Sequence, residues 1–359
     1  MRIFLISNMY PSKTDPLFGV FVKNFKNLLE NQGVSFSCKS LIKGKRKGVF
    51  QKIITYLGYY LSIIKNYVFK NYDLIYVHYL SHNSPVLFFI LLLGKKKPLV
   101  INVHGSDILD SQGKFIDRIN KAVLKKTNLI ITPSPYFKEL MLEYYSFLKE
   151  EQLFVSPSGG IDTSKFYHIK TEENKTPTLG LISRIDEGKG WDDFLKALHI
   201  LNQESFKFKA KIAGDGEQVE ELKEMILKYN LSNKIEFLGL INQNELIHLY
   251  NDIDVLIFPT KREAESLGLV GLEAMSCKTP VIGSNIAGLK TYIKEGYNGF
   301  LFEPSNFTEL RKTILKFYKL SSQEREQLSI NAFNTSINYE AKHIALVLKN
   351  KLSELCFKN

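Results

Sequence analysis

The run DVLIFPT, residues 254–260, and the run EAESLGLVGLEAM, residues 263–275, stand almost end to end. The first is a short apolar segment that breaks at Pro259 and reads as a buried strand. The second carries Glu265 in what reads as a loop, then an apolar stretch whose spacing predicts a helix beginning near Gly268, with Glu273 inside it. A strand that passes through a polar loop into a helix is the repeating unit of a parallel α/β sheet. Two carboxylates eight positions apart around a glycine turn are costly to bury unless something donates hydrogen bonds to them. The first N–H groups of a helix have no intrahelical partner, and the helix dipole is positive there. Ser266, Leu267, Gly268 and Leu269 are therefore candidate donors to a sugar and its diphosphate. Glu265 is a candidate acceptor for sugar hydroxyls, and Glu273 for both hydroxyls of a ribose. The plain structural alternatives are a solvated loop charge at Glu265 and a capping or salt-bridged helix residue at Glu273.

The same alternation extends in both directions. Ile3–Ser7, Asp73–Val77, Leu99–Val103 and Leu129–Thr132 read as strands of a first half, with Val20–Leu29 at helical spacing and closed by Gly33. Thr178–Ser183, Lys209–Ala213, Lys234–Leu238 and Pro280–Gly283 join Asp254–Phe258 as strands of a second half. Strands alternating with helices imply parallel sheets with right-handed crossovers, hence a doubly wound α/β architecture. With 359 residues the chain is too long for one ordinary core. The halves divide beside the polar stretch HIKTEENKTP, 168–177: residues 1–165 form a first domain, 166–338 a second, and 339–359 a last helix that crosses back to the first. A cleft is expected between the two domains, because ligands of open α/β sheets sit beyond the carboxyl ends of the strands.

Three more clusters follow strands. SRIDEGKGWDDF, 183–194, brackets a tight glycine turn with Arg184 and Lys189, the cations and open backbone that a phosphate needs; a surface turn is an equal reading. NVHGSD, 102–107, puts His104 at a strand end, with His78 a weaker version of the same placement. NMYPSKTDPLFGVF, 8–21, is a long loop with Gly19 just before a helix, suited to close over a phosphate or to admit an acceptor, and SPSGGID, 156–162, is a glycine-rich candidate hinge.

Taken together these motifs resemble the family 4 retaining glycosyltransferases of the GT-B fold, of the kind that builds bacterial capsule and lipopolysaccharide. The resemblance rests on the Gly19 loop, HGSD at 104–107, SRIDEGKG at 183–190, AGDGE at 213–217 and the two glutamates Glu265 and Glu273, in this order. It implies two Rossmann-like domains facing across a cleft, the acceptor bound by the first and the nucleotide-sugar donor by the second. It further implies hexosyl transfer with retention and no metal or cofactor beyond a donor substrate expected to be a UDP-sugar. Glu265 would hold the sugar hydroxyls, Glu273 the ribose, Arg184 and Lys189 the diphosphate, Gly19 a donor phosphate, and His104 the sugar near the reacting carbon. The chain departs from the family in having Phe18-Gly19 where two glycines are common, and Ser266-Leu267 where an aromatic often follows the first glutamate.

Other classes fit less well. Asp252-Ile253-Asp254 is a D-x-D of the sort that binds a metal with a diphosphate in another fold, but Asp254 opens a strand and Asp252 ends a helix, so capping is expected. Gly214-Asp215-Gly216 continues as Glu-Gln-Val and fails the dinucleotide fingerprint. An epimerase of the same fold, or a non-catalytic subunit that binds nucleotide sugar or membrane, remains an alternative.

The net charge is +11, with clusters at Lys43, Lys45, Arg46 and Lys47, at Lys95–Lys97, and at Lys121, Lys125 and Lys126. No nucleic-acid motif accompanies them, so an anionic membrane surface or phosphate ligands are the candidate partners and nucleic acid is not. Three cysteines in no metal or redox spacing fit a reducing compartment. The N-terminus is too polar for a signal peptide, and the longest apolar run, Val86–Leu93, is far short of the ~20 residues of a span. A cytoplasmic protein is expected, with a peripheral seat on the inner face of the cytoplasmic membrane as a candidate location. The acceptor would be a sugar, foremost a lipid-linked oligosaccharide in cell-surface polysaccharide synthesis. Phe50, Ile53, Ile54, Leu57, Tyr60, Leu61, Ile64 and Tyr67 recur at helical spacing after KGKRKG. Two readings stand: a lipid-facing surface or a core-facing helix.

Overall fold

The computed structural model describes residues 1–46, 48–94, 97–169 and 174–357. Lys47, Lys95 and Lys96 of the basic clusters and residues 170–173 of the polar stretch lie outside the described residues. The chain divides into a first unit, Met1–Gly159 with Ala341–Asn359, and a second, Gly160–Glu340. The division falls inside SPSGGID.

The first unit is a six-stranded parallel sheet. Its strands are β1 (Arg2–Tyr10), β2 (Ser35–Lys43), β3 (Leu74–His78), β4 (Leu99–Asn102), β5 (Leu129–Thr132) and β6 (Leu153–Val155), in the order β2-β1-β3-β4-β5-β6. The central strands are continuous apolar runs because helices cover both faces; all of LIYVH in β3 is buried. On one face α2 (Val49–Phe69) and α3 (Ser84–Leu92) bring Tyr59, Ile63, Val86 and Ile90 onto Phe4, Ile75 and Ile101. On the other, α1 (Val20–Asn31) and α13 (Ala341–Phe357) bring Val22, Phe25, Leu29, Leu348 and Leu352 onto Ile3, Leu5 and Val100. The remaining helices of this unit are α4 (Ser106–Leu109), α5 (Phe115–Leu124) and α6 (Pro135–Tyr144).

The second unit is also a six-stranded parallel sheet. It holds β7 (Thr178–Ile182), β8 (Lys209–Ala213), β9 (Ile235–Gly239), β10 (Val255–Phe258), β11 (Val281–Ser284) and β12 (Gly299–Phe302), in the order β12-β11-β10-β7-β8-β9. That is the doubly wound nucleotide-binding order. From β7 the chain winds outward through β8 and β9, then returns to the other side of β7 as β10 and winds the opposite way. The strand order reverses between β7 and β10, where a crevice opens beyond the carboxyl ends. The helices are α7 (Trp191–Gln203), α8 (Val219–Lys228), α9 (Gln243–Asp252), α10 (Leu269–Ser276), α11 (Phe307–Lys319) and α12 (Ser322–Ile337).

The D-x-D carboxylates serve the opposite end of this sheet. Asp254, just before β10, accepts the backbone N–H of Thr178 at 2.8 Å and the hydroxyl of Tyr318 at 3.1 Å. Asp252 meets Lys211 at 3.2 Å. Asp252 ends α9 and Asp254 just precedes β10, so both stand at the amino end of that strand, away from the crevice.

Candidate active site

At the reversal point two loops are clamped together by their backbones. The loop after β7 ends at Gly190, with φ +76°, and a Cβ there would lie 1.7 Å from the carbonyl oxygen of Pro259, which ends β10's run. Only glycine admits that approach. The N–H of Lys261 adds a hydrogen bond to the Gly188 carbonyl at 2.8 Å.

Across this seam Lys189 Nζ donates to Glu265 Oε2 at 2.8 Å, and both side chains are largely buried, 17% and 14% exposed. The buried Thr260 hydroxyl lies 3.3 Å from the same oxygen. The loop after β10 thus places a carboxylate, and the loop after β7 an ammonium, at one spot over the crevice. A carboxylate can accept from hydroxyls and an ammonium can pair with a phosphate, so both chemistries stand side by side at this spot.

Arg184 stands on the same loop as Lys189 but pairs with Asp186, Nη2 to Oδ2 at 2.7 Å, and keeps its guanidinium 61% exposed. Asp186 in turn accepts the N–H of Glu217 at 3.0 Å. The N–H groups of Ile185 and Gln218 reach the carbonyls of Asp215 and Ile185. The AGDGE motif is therefore the buttress that fixes the Arg184 loop.

Gly268 caps α10 in the left-handed conformation, so the helix begins at Leu269. The Tyr292 hydroxyl donates to the Gly268 carbonyl at 3.0 Å, and the Gly288 N–H donates to the Glu265 carbonyl at 3.2 Å. These two bonds fix the segment Glu265–Leu269, in which Leu267 and Gly268 are buried and Ser266 and Leu269 half-buried. One turn into α10, Glu273 Oε2 accepts the hydroxyl of Tyr250 at 2.8 Å. Burial holds the Glu273 carboxyl above the usual carboxylate range, and the Tyr250 hydrogen bond opposes this.

In the second unit, then, Lys189 and Glu265 touch, while Ser266, Leu267, Gly268, Leu269 and Glu273 follow on one continuous segment. Thr260, Asp186, Tyr250 and Tyr292 were not read from sequence. Thr260, adjacent to the strand-ending Pro259, and Asp186, between Arg184 and Lys189, carried a local signal; Tyr250 and Tyr292 act on partners far away in the chain.

Gly19 and His104 belong to the first unit. Gly19 caps α1, and a Cβ on it would sit 2.5 Å from the carbonyl carbon of Met9; because β1 continues through Tyr10, the loop expected from residue 8 runs only from Pro11 to Gly19, and it folds back on β1. That sets the start of α1, whose Phe21 ring lies 4.9 Å from the ring of His104. Tyr79 stacks on His104 at 4.4 Å. His104 Nε2 is 3.1 Å from His78 Nδ1, and the buried His78 Nε2 has no hydrogen-bond partner among the described residues. Asp107 ties this corner together by accepting the N–H groups of His104 and Leu80, each at 2.8 Å. Burial pushes the His104 imidazole down to about 3, pushes His78 down as well with help from His104, and raises Asp107 to about 6 against its backbone hydrogen bonds. His104 is accordingly a neutral imidazole at neutral pH, able to offer one N–H or one lone pair.

Two six-stranded doubly wound parallel sheets, one in each unit, make the fold that of GT-B proteins. Residues 32–165 match the model described as Glycosyltransferase Family 4, and residues 163–335 match that described as Glycosyl transferases group 1. The chain belongs to this glycosyltransferase family. It is 27% identical over 306 residues to an uncharacterized glycosyltransferase of Methanocaldococcus jannaschii, an alignment spanning 84% of this chain and 81% of the relative. Its fold is similar to that of sucrose-phosphate synthase from Thermosynechococcus elongatus, with TM-score 0.81, 17% identity and all of both chains covered. It is also similar to Anabaena HepE in complex with UDP, with TM-score 0.76, 19% identity, 99% of this chain and 100% of that one. Among the described residues no helix is long and apolar enough to cross a membrane, and no group of three or more His, Cys, Asp or Glu is placed to hold a metal ion.

Proposed function

We propose that this glycosyltransferase moves a hexosyl group from a UDP-sugar to a hydroxyl of a sugar acceptor with retention of anomeric configuration and without a metal. The observation that carries the reading is the Lys189–Glu265 pair at the sheet's reversal point, with α10 and Glu273 immediately downstream. Lys189, Arg184 and the first N–H groups of α10 face the diphosphate. Glu265 and the Ser266–Leu269 segment hold sugar hydroxyls, and Glu273 grips the ribose. Gly19 shapes the loop toward a donor phosphate, and His104 touches the sugar. That HepE is described with UDP and with UDP-glucose supports a uridine donor.

The chemistry follows from charge. As the bond between the anomeric carbon and the diphosphate oxygen breaks, its electron pair stays on the diphosphate and positive charge spreads over the sugar ring. Fixed cations where the negative charge grows stabilise that state, and removing one such donor costs ~3 kcal/mol, about a hundredfold in rate. The acceptor hydroxyl oxygen forms the new bond on the face the phosphate leaves, and its proton passes to the departing phosphate oxygen. In this scheme the acceptor itself is the nucleophile, and no side chain is assigned that role. The basic first unit suits a lipid-linked oligosaccharide acceptor of cell-surface polysaccharide synthesis, met from a peripheral seat on the inner face of the cytoplasmic membrane.

The test is a panel of UDP-, GDP- and ADP-sugars offered with lipid-linked and soluble acceptors, products read by mass spectrometry and the anomeric configuration by NMR. A glycosylated acceptor with the donor's configuration is expected. Conversion of the donor sugar without any acceptor would replace this reading with an epimerase, and tight UDP binding with no turnover would replace it with a scaffold subunit.

A further inference from the structure

The sequence left the stripe on α2 open between a lipid-facing and a core-facing role, and the structure divides it. Tyr59, Ile63 and Tyr67 are buried against the sheet, and Tyr60 and Ile64 pack beside them. Phe50, Ile54, Leu57, Leu61 and Val68 fall on the other side and are exposed, Phe50 by 74% and Leu61 by 67%. Their spacings of four, three, four and seven put them in one row along the helix. The neighbouring α3 adds Phe88, Phe89 and Leu92, all exposed. The two helices are fixed to each other: the Tyr59 hydroxyl donates to Asn83 Oδ1 at 2.6 Å and that of Tyr60 to the His82 carbonyl at 2.8 Å. The result is a firm apolar face, well beyond the scattered exposed apolar residues ordinary for a surface.

The charge around it is mostly positive, although Asp15 accepts the Lys45 N–H at 2.8 Å. Residues 31–106 contain eleven Lys or Arg and a single acidic residue, Asp73. Asp73 is itself paired with Arg2 at 2.9 Å. Lys43, Lys45 and Arg46 are exposed just before α2, Lys65 is exposed on the apolar row itself, Lys70 is exposed at the helix end, and Lys97 is exposed past α3. A protein partner binding an apolar face ringed mainly by cations would need an acidic rim; a second copy of this face would bring the same cations against each other. An anionic bilayer supplies what the face lacks, hydrocarbon under the apolar row and phosphates around it. Lys65 reaches the headgroups from within the row by extending its stem.

We infer that the α2–α3 face is a membrane-docking surface on which Phe50, Ile54, Leu57 and Leu61 enter the interface of an anionic bilayer while the surrounding lysines bind its phosphates. Both helices lie flat, because the far side of each is committed to the sheet. The inference rests on the membrane half of the function proposed above and names the surface that carries it.

The test is flotation of the full chain with phosphatidylcholine vesicles, with and without phosphatidylglycerol, and needs neither donor nor acceptor. The wild type is expected to float with anionic vesicles at low salt, to release as salt rises, and to ignore neutral ones. The Leu57→Glu/Leu61→Glu double variant should bind at least about tenfold more weakly, and so should Lys45→Glu/Arg46→Glu. Each changes exposed side chains only, so circular dichroism and UDP binding should be unchanged. In Phe50→Trp the new indole emission should shift to the blue on anionic vesicles. Equal flotation with neutral vesicles, undiminished binding by Leu57→Glu/Leu61→Glu, or a wild-type dimer that this variant splits while no form floats would overturn the inference. Flotation without transfer to any lipid-linked acceptor would instead remove the acceptor assignment and leave the docking surface standing.

Discussion

Lys189 Nζ stands 2.8 Å from Glu265 Oε2, joining the loop after β7 to the loop after β10 where the strand order of the second unit reverses. The pair is largely buried, so removing one partner strands the other. Lys189→Ala is expected to lower kcat/KM for transfer by about a hundredfold and to cost about 2 kcal/mol of stability through the lost charge-assisted hydrogen bond. Initial rates and thermal melts check this; a variant with wild-type rates would remove Lys189 from the reaction. Glu265→Ala should mainly lower turnover while leaving nucleotide affinity unchanged.

The Glu273 carboxyl is raised by burial and held down in part by the Tyr250 hydroxyl. A ribose hydroxyl can donate to the ionised form, so UDP affinity should fall as pH drops, beginning at a higher pH than for an ordinary carboxylate at ~4.3. Tyr250→Phe deletes the bond that stabilises the carboxylate, so the fall should move to still higher pH. Calorimetric titration of UDP into both proteins across pH reads the difference; coincident profiles would contradict it.

Gly190 and Gly58 should respond in opposite directions to alanine. At Gly190 the new Cβ would meet the Pro259 carbonyl at 1.7 Å with φ +76°, forcing the two loops apart, at a cost of about 3 kcal/mol or more. At Gly58, exposed within α2 with nothing near the added carbon, alanine should stabilise by about 0.5–1 kcal/mol. Chemical denaturation of the two variants is the measurement.

His104, depressed to about 3, should remain neutral throughout the usual pH range of transfer, and imidazole chemical shifts should show no titration near 6.5. The sign of its effect on stability is fixed. The unfolded histidine binds a proton that the folded one refuses, so this group lowers stability as pH falls from about 6.5 toward about 3. Asp107, raised to about 6, works the other way: its folded form binds the extra proton, so it lowers stability as pH rises from about 4 to about 6. An ordinary titration of His104 in the folded protein would contradict the buried corner described here.

Much of this was legible because central strands of doubly wound sheets are uninterrupted apolar runs, and every strand named from sequence was one of these or lay beside one. β2, β6 and β12 were not read, and all three are sheet edges. An edge strand has a neighbour on one side only. SFSCKSLIK of β2 alternates buried and exposed positions, with Ser35, Ser37, Lys39 and Lys43 outward and Ser40 buried, so it lacks the apolar density that marked the others. The helix starting after Gly268 and the glutamate one turn into it were visible because glycine, loop and apolar run are local. What fixes them was not: Tyr250 and Tyr292 reach Glu273 and Gly268 through folding, and nothing in their own neighbourhoods marks them. The α2 stripe was ambiguous for a different reason. Both sides of the helix are apolar, so periodicity alone does not say which one meets the sheet.

The central claim is that the segment from Glu265 to Glu273 is a nucleotide-diphosphate grip. Its most direct test is calorimetric titration of UDP into the wild type, Glu273→Ala and Lys189→Ala at neutral pH. The account predicts binding by the wild type and marked weakening in both variants, by Glu273→Ala through loss of ribose contacts and by Lys189→Ala through loss of a diphosphate cation. Equal UDP affinity in all three proteins would contradict it.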